Sequence, residues 1–241
     1  MEPYAREEFL ACCIARLIGG ATHVAVGAAS PIPAMGAFFA RAFHNKKLRI
    51  SLLHRRTGNP FSEGSRELFD LAGQGRIDVF FLGGAQIDGA ANINLVRAEG
   101  KRFPGSFGSA FMYFAAGRTI LFRDEHSRRV LVPKVDFISA PGWSPPEVKR
   151  NGGPQALLTG KALFAWHKDK RRFRLESVHP GHSAAEIRES TGFDYDVSSA
   201  LQQTPVPSKE ELSLLRGPVQ SAITENYPEF GRRVWPVESA T

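Results

Sequence analysis

Val79-Phe80-Phe81-Leu82 runs directly into Gly83-Gly84 and then into a line of carboxamides, Gln86, Asn92 and Asn94. A strand that ends so abruptly points backbone N–H groups and short polar side chains at something. The glycines that end it let a backbone approach a ligand without a Cβ in the way, and the carboxamides offer donors and acceptors without charge. Such a loop, with Gly83, Gly84 and Gln86 nearest the strand, suits a developing oxyanion or a thioester carbonyl. A tight turn between two strands draws on the same residues, because Gly and Asn tolerate positive φ.

The segments around this run alternate in type. From Arg6 to Ile18, apolar residues recur near helical spacing and stop at Gly19-Gly20, a C-terminal glycine signal. A short strand is expected from Thr22 to Val26, after which Ser30 can cap, and Pro31 open, a helix running to about His44. A strand from Leu48 to Leu53, a helix from Ser65 to Ala72 and the strand ending at Leu82 complete the series. This order predicts an open α/β fold with a mainly parallel sheet and helices on both faces.

Beyond Gly100, the turn Gly105-Ser106-Phe107-Gly108-Ser109-Ala110 leads into a helical stretch from Phe111 to Ala116. Strands are expected at Thr119 to Phe122, Val130 to Ile138, Ala162 to Trp166 and Arg172 to Val178. Ser208-Lys209-Glu210-Glu211 is a capping box opening a helix that Gly217-Pro218 interrupts. One domain over residues 1–241 is expected, with a helical appendage from about 205 to 241; Asn151-Gly152-Gly153-Pro154 is a loop within it.

Composition removes several classes. The 241 residues carry 42% hydrophobic content, enough for a sizeable core. The formal charge of +7 falls in short clusters such as Lys46-Lys47-Leu48-Arg49 and Lys168-Asp169-Lys170-Arg171-Arg172, without a helix-turn-helix or RNP-type pattern, so no nucleic-acid partner is expected. No apolar run reaches the roughly 18 residues of a membrane span, and the acidic start is wrong for a secretory signal, so the cytoplasm and no membrane are expected. Cys12 and Cys13 are neighbours on a helix and read as small buried hydrophobes. His179 and His182 flank Pro180-Gly181 with no third ligand at metal spacing, so they read as a turn and no metal is expected. His126, after Asp124-Glu125, reads as a solvated turn or an interface cluster, and His23 as structural. Gly27-Ala28-Ala29-Ser30 has neither dinucleotide glycine spacing nor a P-loop ending, although a helix N-terminus at Pro31 can hold an anion.

Three blocks in order resemble a known family: Leu82-Gly83-Gly84-Ala85-Gln86-Ile87-Asp88 with Asn92-Ile93-Asn94; Pro104 to Ala110; and Ser177-Val178-His179-Pro180-Gly181 with the helix Ala184 to Thr191. The chain resembles the β subunits of class I coenzyme A transferases. The His-Pro-Gly block and the tail from Pro205 to Leu212 look closest to the branch of steroid-ring-opening CoA-thioester hydrolases. The resemblance implies an α/β hetero-oligomer with the active site between α and β subunits, acyl-CoA as substrate, and coenzyme A as substrate or covalent carrier with no tightly bound cofactor. It also implies that Gly83, Gly84 and Gln86 contact the carbonyl or oxyanion, with Asn92, Gly105, Phe107 and Gly108 lining the adjoining pocket.

In the family, a β-subunit glutamate just after a strand attacks the acyl-CoA and becomes a glutamyl-CoA thioester. Here the corresponding strand from Arg49 to Leu53 is followed by His54-Arg55-Arg56, with no carboxylate. Glu63, in Phe61-Ser62-Glu63-Gly64, is one substitute and otherwise a surface residue near a helix N-terminus. The other route dispenses with the glutamyl thioester: the α subunit supplies the acid–base carboxylate and His54 serves as general base or donor. CoA transfer, ring-opening hydrolysis of a cyclic β-keto acyl-CoA, and a non-catalytic scaffold are the three roles this leaves.

Overall fold

The computed structural model describes residues 4–53, 55 and 61–236. In chain order the elements are α1 (Arg6–Ile18), β1 (His23–Val26), α2 (Pro31–Phe43), β2 (Arg49–Leu52), α3 (Ser65–Gly73), β3 (Val79–Leu82), β4 (Gln86–Ile87), β5 (Ile93–Asn94), β6 (Arg97–Ala98), β7 (Lys101–Arg102), α4 (Ser109–Ala115), β8 (Arg118–Arg123), β9 (Pro154–Thr159), β10 (Ala162–His167), β11 (Arg172–Val178), α5 (Ala184–Ser190), β12 (Asp196–Gln203), α6 (Lys209–Leu214), a π-helical turn (Leu215–Val219), α7 (Gln220–Asn226) and α8 (Pro228–Val234). They fall into two compact units, the chain up to Leu68 together with the segment from Val206, and Phe69–Pro205.

In the first unit β1 and β2 pair in parallel, His23 opposite Arg49 through Val26 opposite Leu52. All four β1 residues are buried, and His23 Nε2 lies 2.8 Å from Ser51 Oγ across the pair. Pro31 sits in the first turn of α2 as its fixed φ favours, but the Ser30 hydroxyl donates to Ala28 O at 3.2 Å and does not cap the helix. Cys12 and Cys13 are free thiols inside α1's buried face, and burial pushes the Cys13 thiol up to about 12.

The C-terminal helices fasten to α1 through ions. Glu8 is 1% exposed and accepts from Arg216 Nε at 2.8 Å, Arg216 Nη2 at 2.9 Å, Trp235 Nε1 at 2.8 Å and Ala5 N at 2.8 Å. Burial alone would raise its pKa; the hydrogen bonds from Arg216, Trp235 and Ala5 outweigh that and hold the carboxyl below its ordinary value. Arg16 reaches Glu211 at 3.1 Å, while Glu211 and Ser208 form the expected reciprocal capping box. The expected break falls at Gly217, whose φ of −114° and ψ of −107° leave the helical region.

In the second unit the strands run β12-β11-β10-β9-β8-β3. β3 with β8, β8 with β9 and β11 with β12 are parallel, while β9–β10 and β10–β11 are antiparallel. The architecture is therefore α/β with a mainly parallel sheet. β3 is buried at every position, as its unbroken apolar run requires.

The strand expected from Val130 to Ile138 does not form. Val130, Leu131, Val132 and Val135 are buried, but the segment makes one isolated bridge, Ile87 to Leu131, and then gives its amides to side chains. Val135 N donates to Asp88 Oδ2 at 3.4 Å and Asp136 N to Gln86 Oε1 at 3.0 Å. Side chains thus replace a ladder. His126 is no solvated turn either: it is 5% exposed, with Nδ1 2.8 Å from Thr159 Oγ1 and Nε2 2.9 Å from Thr191 Oγ1. Burial lowers its pKa to about 4.

Candidate functional site

Beyond Leu82 the chain turns through Gly83 and Gly84 into a short antiparallel hairpin, Gln86 opposite Asn94 and Ile87 opposite Ile93. Both glycines stand where backbone passes close. A Cβ on Gly83 would lie 2.8 Å from Phe122 O, and one on Gly84 2.8 Å from Gln86 O and 2.9 Å from Ile93 Cγ2. The turn is organised by Asp88, 4% exposed, whose Oδ1 accepts from Ala90 N at 3.0 Å and Asn92 N at 3.1 Å. Its Oδ2 accepts from Asn92 Nδ2 at 3.2 Å. An aspartate folded back on its own following amides is an Asx turn, which the spacing Asp88-Gly89-Ala90-Ala91-Asn92 signals in the sequence.

The carboxamides are engaged with the protein. Asn94 Nδ2 donates to Gln86 Oε1 at 2.8 Å and to Arg97 O at 2.6 Å, and Asn94 Oδ1 accepts from Val96 N at 3.1 Å. Gln86 and Asn94 are both buried. Asn92 is half-buried, and its Oδ1 accepts from Gly142 N at 3.1 Å. The hairpin is therefore a fixed frame, with the Asp88 carboxylate at its turn and uncharged carboxamides along its strands.

The second glycine turn stands at the start of α4. Gly105 has φ +118° and Phe107 φ +45°, while Gly108 lets the chain pass Phe69, whose Cζ would be 2.1 Å from an added Cβ. Phe107 is 77% exposed, its ring 5.6 Å from that of Phe69. α4 ties this turn to the first one: Tyr113, fully buried, donates its hydroxyl proton to Ala91 O at 2.9 Å. Burial raises the phenol's pKa, so it stays a neutral donor. Arg150 locks the same tyrosine, donating to Tyr113 O at 3.0 Å with its guanidinium 4.7 Å from the ring centre. Neither Tyr113 nor Arg150 carries a signal in the sequence pattern. Gly83, Gly84, Gln86, Asn92, Gly105, Phe107 and Gly108 are thus parts of one unit, linked through α4.

Glu63 lies in the other unit. Its side chain is 63% exposed and pairs with Arg66 at 3.2 Å, three residues on. Its backbone N–H donates to Glu67 Oε1 at 3.0 Å ahead of α3. His54 lies outside the described residues.

A family model of coenzyme A transferases matches residues 45–190, a stretch that spans β2, both glycine turns and most of the second unit. The chain belongs to the coenzyme A transferase family. The B subunit of glutaconate CoA-transferase from Acidaminococcus fermentans is 32% identical over 143 residues, 54% of this chain and 53% of that protein. The chain thus spans about half the length of that relative. The cholesterol ring-cleaving hydrolase IpdB subunit of Rhodococcus jostii is 27% identical over 233 residues, 88% of this chain and 90% of that protein. Among solved structures, the decarboxylase AibA/AibB superposes with a TM-score of 0.75 at 26% identity, covering 96% of this chain and 99% of the other.

In this coenzyme A transferase family member His179 and His182 are engaged with neighbouring protein groups. His179 Nε2 donates to Thr159 O at 3.0 Å and its Nδ1 meets Thr204 Oγ1 at 2.8 Å; His182 Nδ1 meets Glu186 Oε2 at 2.9 Å. Ser183 caps α5 by accepting from Glu186 N. Among the described residues no group of three His, Cys, Asp or Glu side chains could hold a metal, and no helix is long and apolar enough to cross a membrane.

Proposed function

We propose that this chain is the β subunit of a cytoplasmic α/β hetero-oligomer acting on acyl-CoA thioesters, with CoA transfer between carboxylic acids as its reaction. Coenzyme A serves as substrate or covalent carrier, and no other cofactor is needed. One observation carries the reading: within the family-matched region, two glycine turns are held together by Tyr113 and Asp88 into one hydrogen-bonded frame. A fixed frame suits a thioester carbonyl, because the charge that develops in the transition state meets dipoles that need not reorganise. Gly83, Gly84 and Gln86 face the carbonyl in this proposal, and Asn92, Gly105, Phe107 and Gly108 line the acyl pocket.

A second reading, ring-opening hydrolysis of a cyclic β-keto acyl-CoA, is favoured by a specific feature. No carboxylate follows β2 in sequence before Glu63, and Glu63 is exposed and paired with Arg66. In that reading the acid–base carboxylate comes from the α subunit, and His54 acts as base or donor. A chain that makes no thioester and performs no hydrolysis is a scaffold.

Co-purification with the α subunit, incubation with acyl-CoA, and trapping with borohydride or hydroxylamine separate these roles by mass spectrometry. An adduct on Glu63 supports transfer. Ring-opened product without adduct supports hydrolysis, and failure to bind any CoA ester leaves the scaffold. The isolated chain is expected to show little turnover, since part of the pocket belongs to the partner; robust turnover by it alone contradicts the proposal.

A further inference from the structure

The hairpin next along the chain, β6–β7, carries an arrangement that folding does not ask for. Arg97 stands directly opposite Arg102 in the antiparallel register, so two guanidinium side chains leave the same face side by side. Like charges so placed destabilise a strand pair. Lys101, opposite Ala98, adds a third cation at the other face of the hairpin, and among the described residues none of the three has an ion-pair partner. Arg97 instead lies over the exposed ring of Phe137, 5.5 Å from its centre.

These groups line an open groove of about 690 Å³, within the size range of small-molecule sites. Two carboxylates, Glu99 and Asp136, also line it. Asp136 Oδ2 is turned to the tip of the hairpin, where it accepts from Glu99 N at 2.9 Å. The cations outnumber the carboxylates, and a planar apolar face stands beside them.

Both walls are fastened to the β4–β5 frame. Asn94 holds β6 through Arg97 O and Val96 N, and Gln86 holds the Phe137 wall through Asp136 N. The groove is built on the same two carboxamides that close the hairpin after Gly84.

We propose that this groove takes the nucleotide end of coenzyme A, with Arg97 and Arg102 on its phosphates and Phe137 under its purine. This rests on the acyl-CoA reading. The phosphates supply the anion that turns an opposed arginine pair from a cost into forked, charge-assisted contacts, and an aromatic face is what a purine stacks on. The flexible pantetheine arm then leads from the groove toward the glycine turns.

The test is calorimetric binding of adenosine 3′,5′-bisphosphate, pyrophosphate, pantetheine and CoA to the full chain. The bisphosphate is expected to bind with an affinity that falls as salt rises, and Arg97→Gln or Arg102→Gln to weaken it about 10- to 100-fold. Pantetheine binding should not change. Phe137→Leu keeps every charge, and is expected to weaken the bisphosphate about tenfold while leaving pyrophosphate alone. Thermal melts of each variant verify the fold, and the two classes of variant fail independently. No bisphosphate binding, or equal binding by wild type and arginine variants, overturns the groove. If CoA esters still bind equally to both, the acyl-CoA reading survives that loss. Bisphosphate binding lost in the arginine variants, with no CoA ester bound by the wild type, supports a nucleotide groove and overturns the acyl-CoA reading.

Discussion

The two hairpins that follow β3 use polar residues in opposite ways. β4–β5 buries Gln86, Asp88 and Asn94 and pairs their side chains with amides and with one another. β6–β7 exposes Arg97, Lys101 and Arg102 and pairs none of them with a carboxylate among the described residues. One hairpin satisfies itself, and so is a frame. The other keeps its cations in water without a carboxylate beside them, where an anion can reach them. The contrast teaches that an unspent charge, more than a polar residue as such, marks where a ligand fits.

Breaking the frame should cost most. Asp88→Ala leaves the amides of Ala90, Asn92 and Val135 without their acceptor. Each lost partner costs about 1–3 kcal/mol when buried, so a loss of about 3–4 kcal/mol is expected in urea unfolding. A loss below about 1 kcal/mol would show that water replaces the carboxylate, and the frame would then be no more rigid than the surface hairpin.

His126 is held in the same self-satisfied manner but can titrate. Its Nδ1 lies 2.8 Å from Thr159 Oγ1 and its Nε2 2.9 Å from Thr191 Oγ1, and burial holds its pKa near 4 against 6.5 for the free side chain. Between those values the unfolded chain binds the proton and the folded chain does not. Stability therefore falls as pH drops from about 6.5 toward 4, by about 3 kcal/mol in all. His126→Gln should flatten this stretch of the stability profile; an unchanged slope there would assign it to other groups.

Gln86→Leu removes the acceptor shared by Asn94 and Asp136 while keeping the volume. A loss of about 2 kcal/mol is expected. If the groove is built on this residue, bisphosphate affinity must fall as well. A variant that loses stability but keeps its affinity would separate the two hairpins.

The parallel part of the fold was legible in the sequence because each element has one period and one breaker. Phe9 to Ile18 carries the helical stripe that ends at Gly19, and Val79 to Leu82 the unbroken apolar strand. β9 and β12 were not, because Pro154 opens the first and the second, Asp196 to Gln203, is mostly polar and exposed. The segment from Val130 read as a strand because its apolar residues are buried, yet burial there comes from packing on β4–β5, with side chains standing in for a ladder. At the candidate site the glycines were legible, while their immediate cause, the approach of Phe122 O, Gln86 O and Phe69, is a tertiary fact. The Arg97–Arg102 pair was invisible for the same reason: only the register places residues five apart opposite each other.

Arg102→Glu turns the opposed like charges of β6–β7 into an opposite-charge pair, which should stabilise the fold by about 0.2–1 kcal/mol. The same change places a carboxylate in the groove and should abolish bisphosphate binding. A protein that becomes slightly more stable as it loses its ligand is one in which that pair of arginines was kept against the interest of the fold. If stability falls together with binding, the arginines belong to the structure, and the two hairpins differ only in exposure.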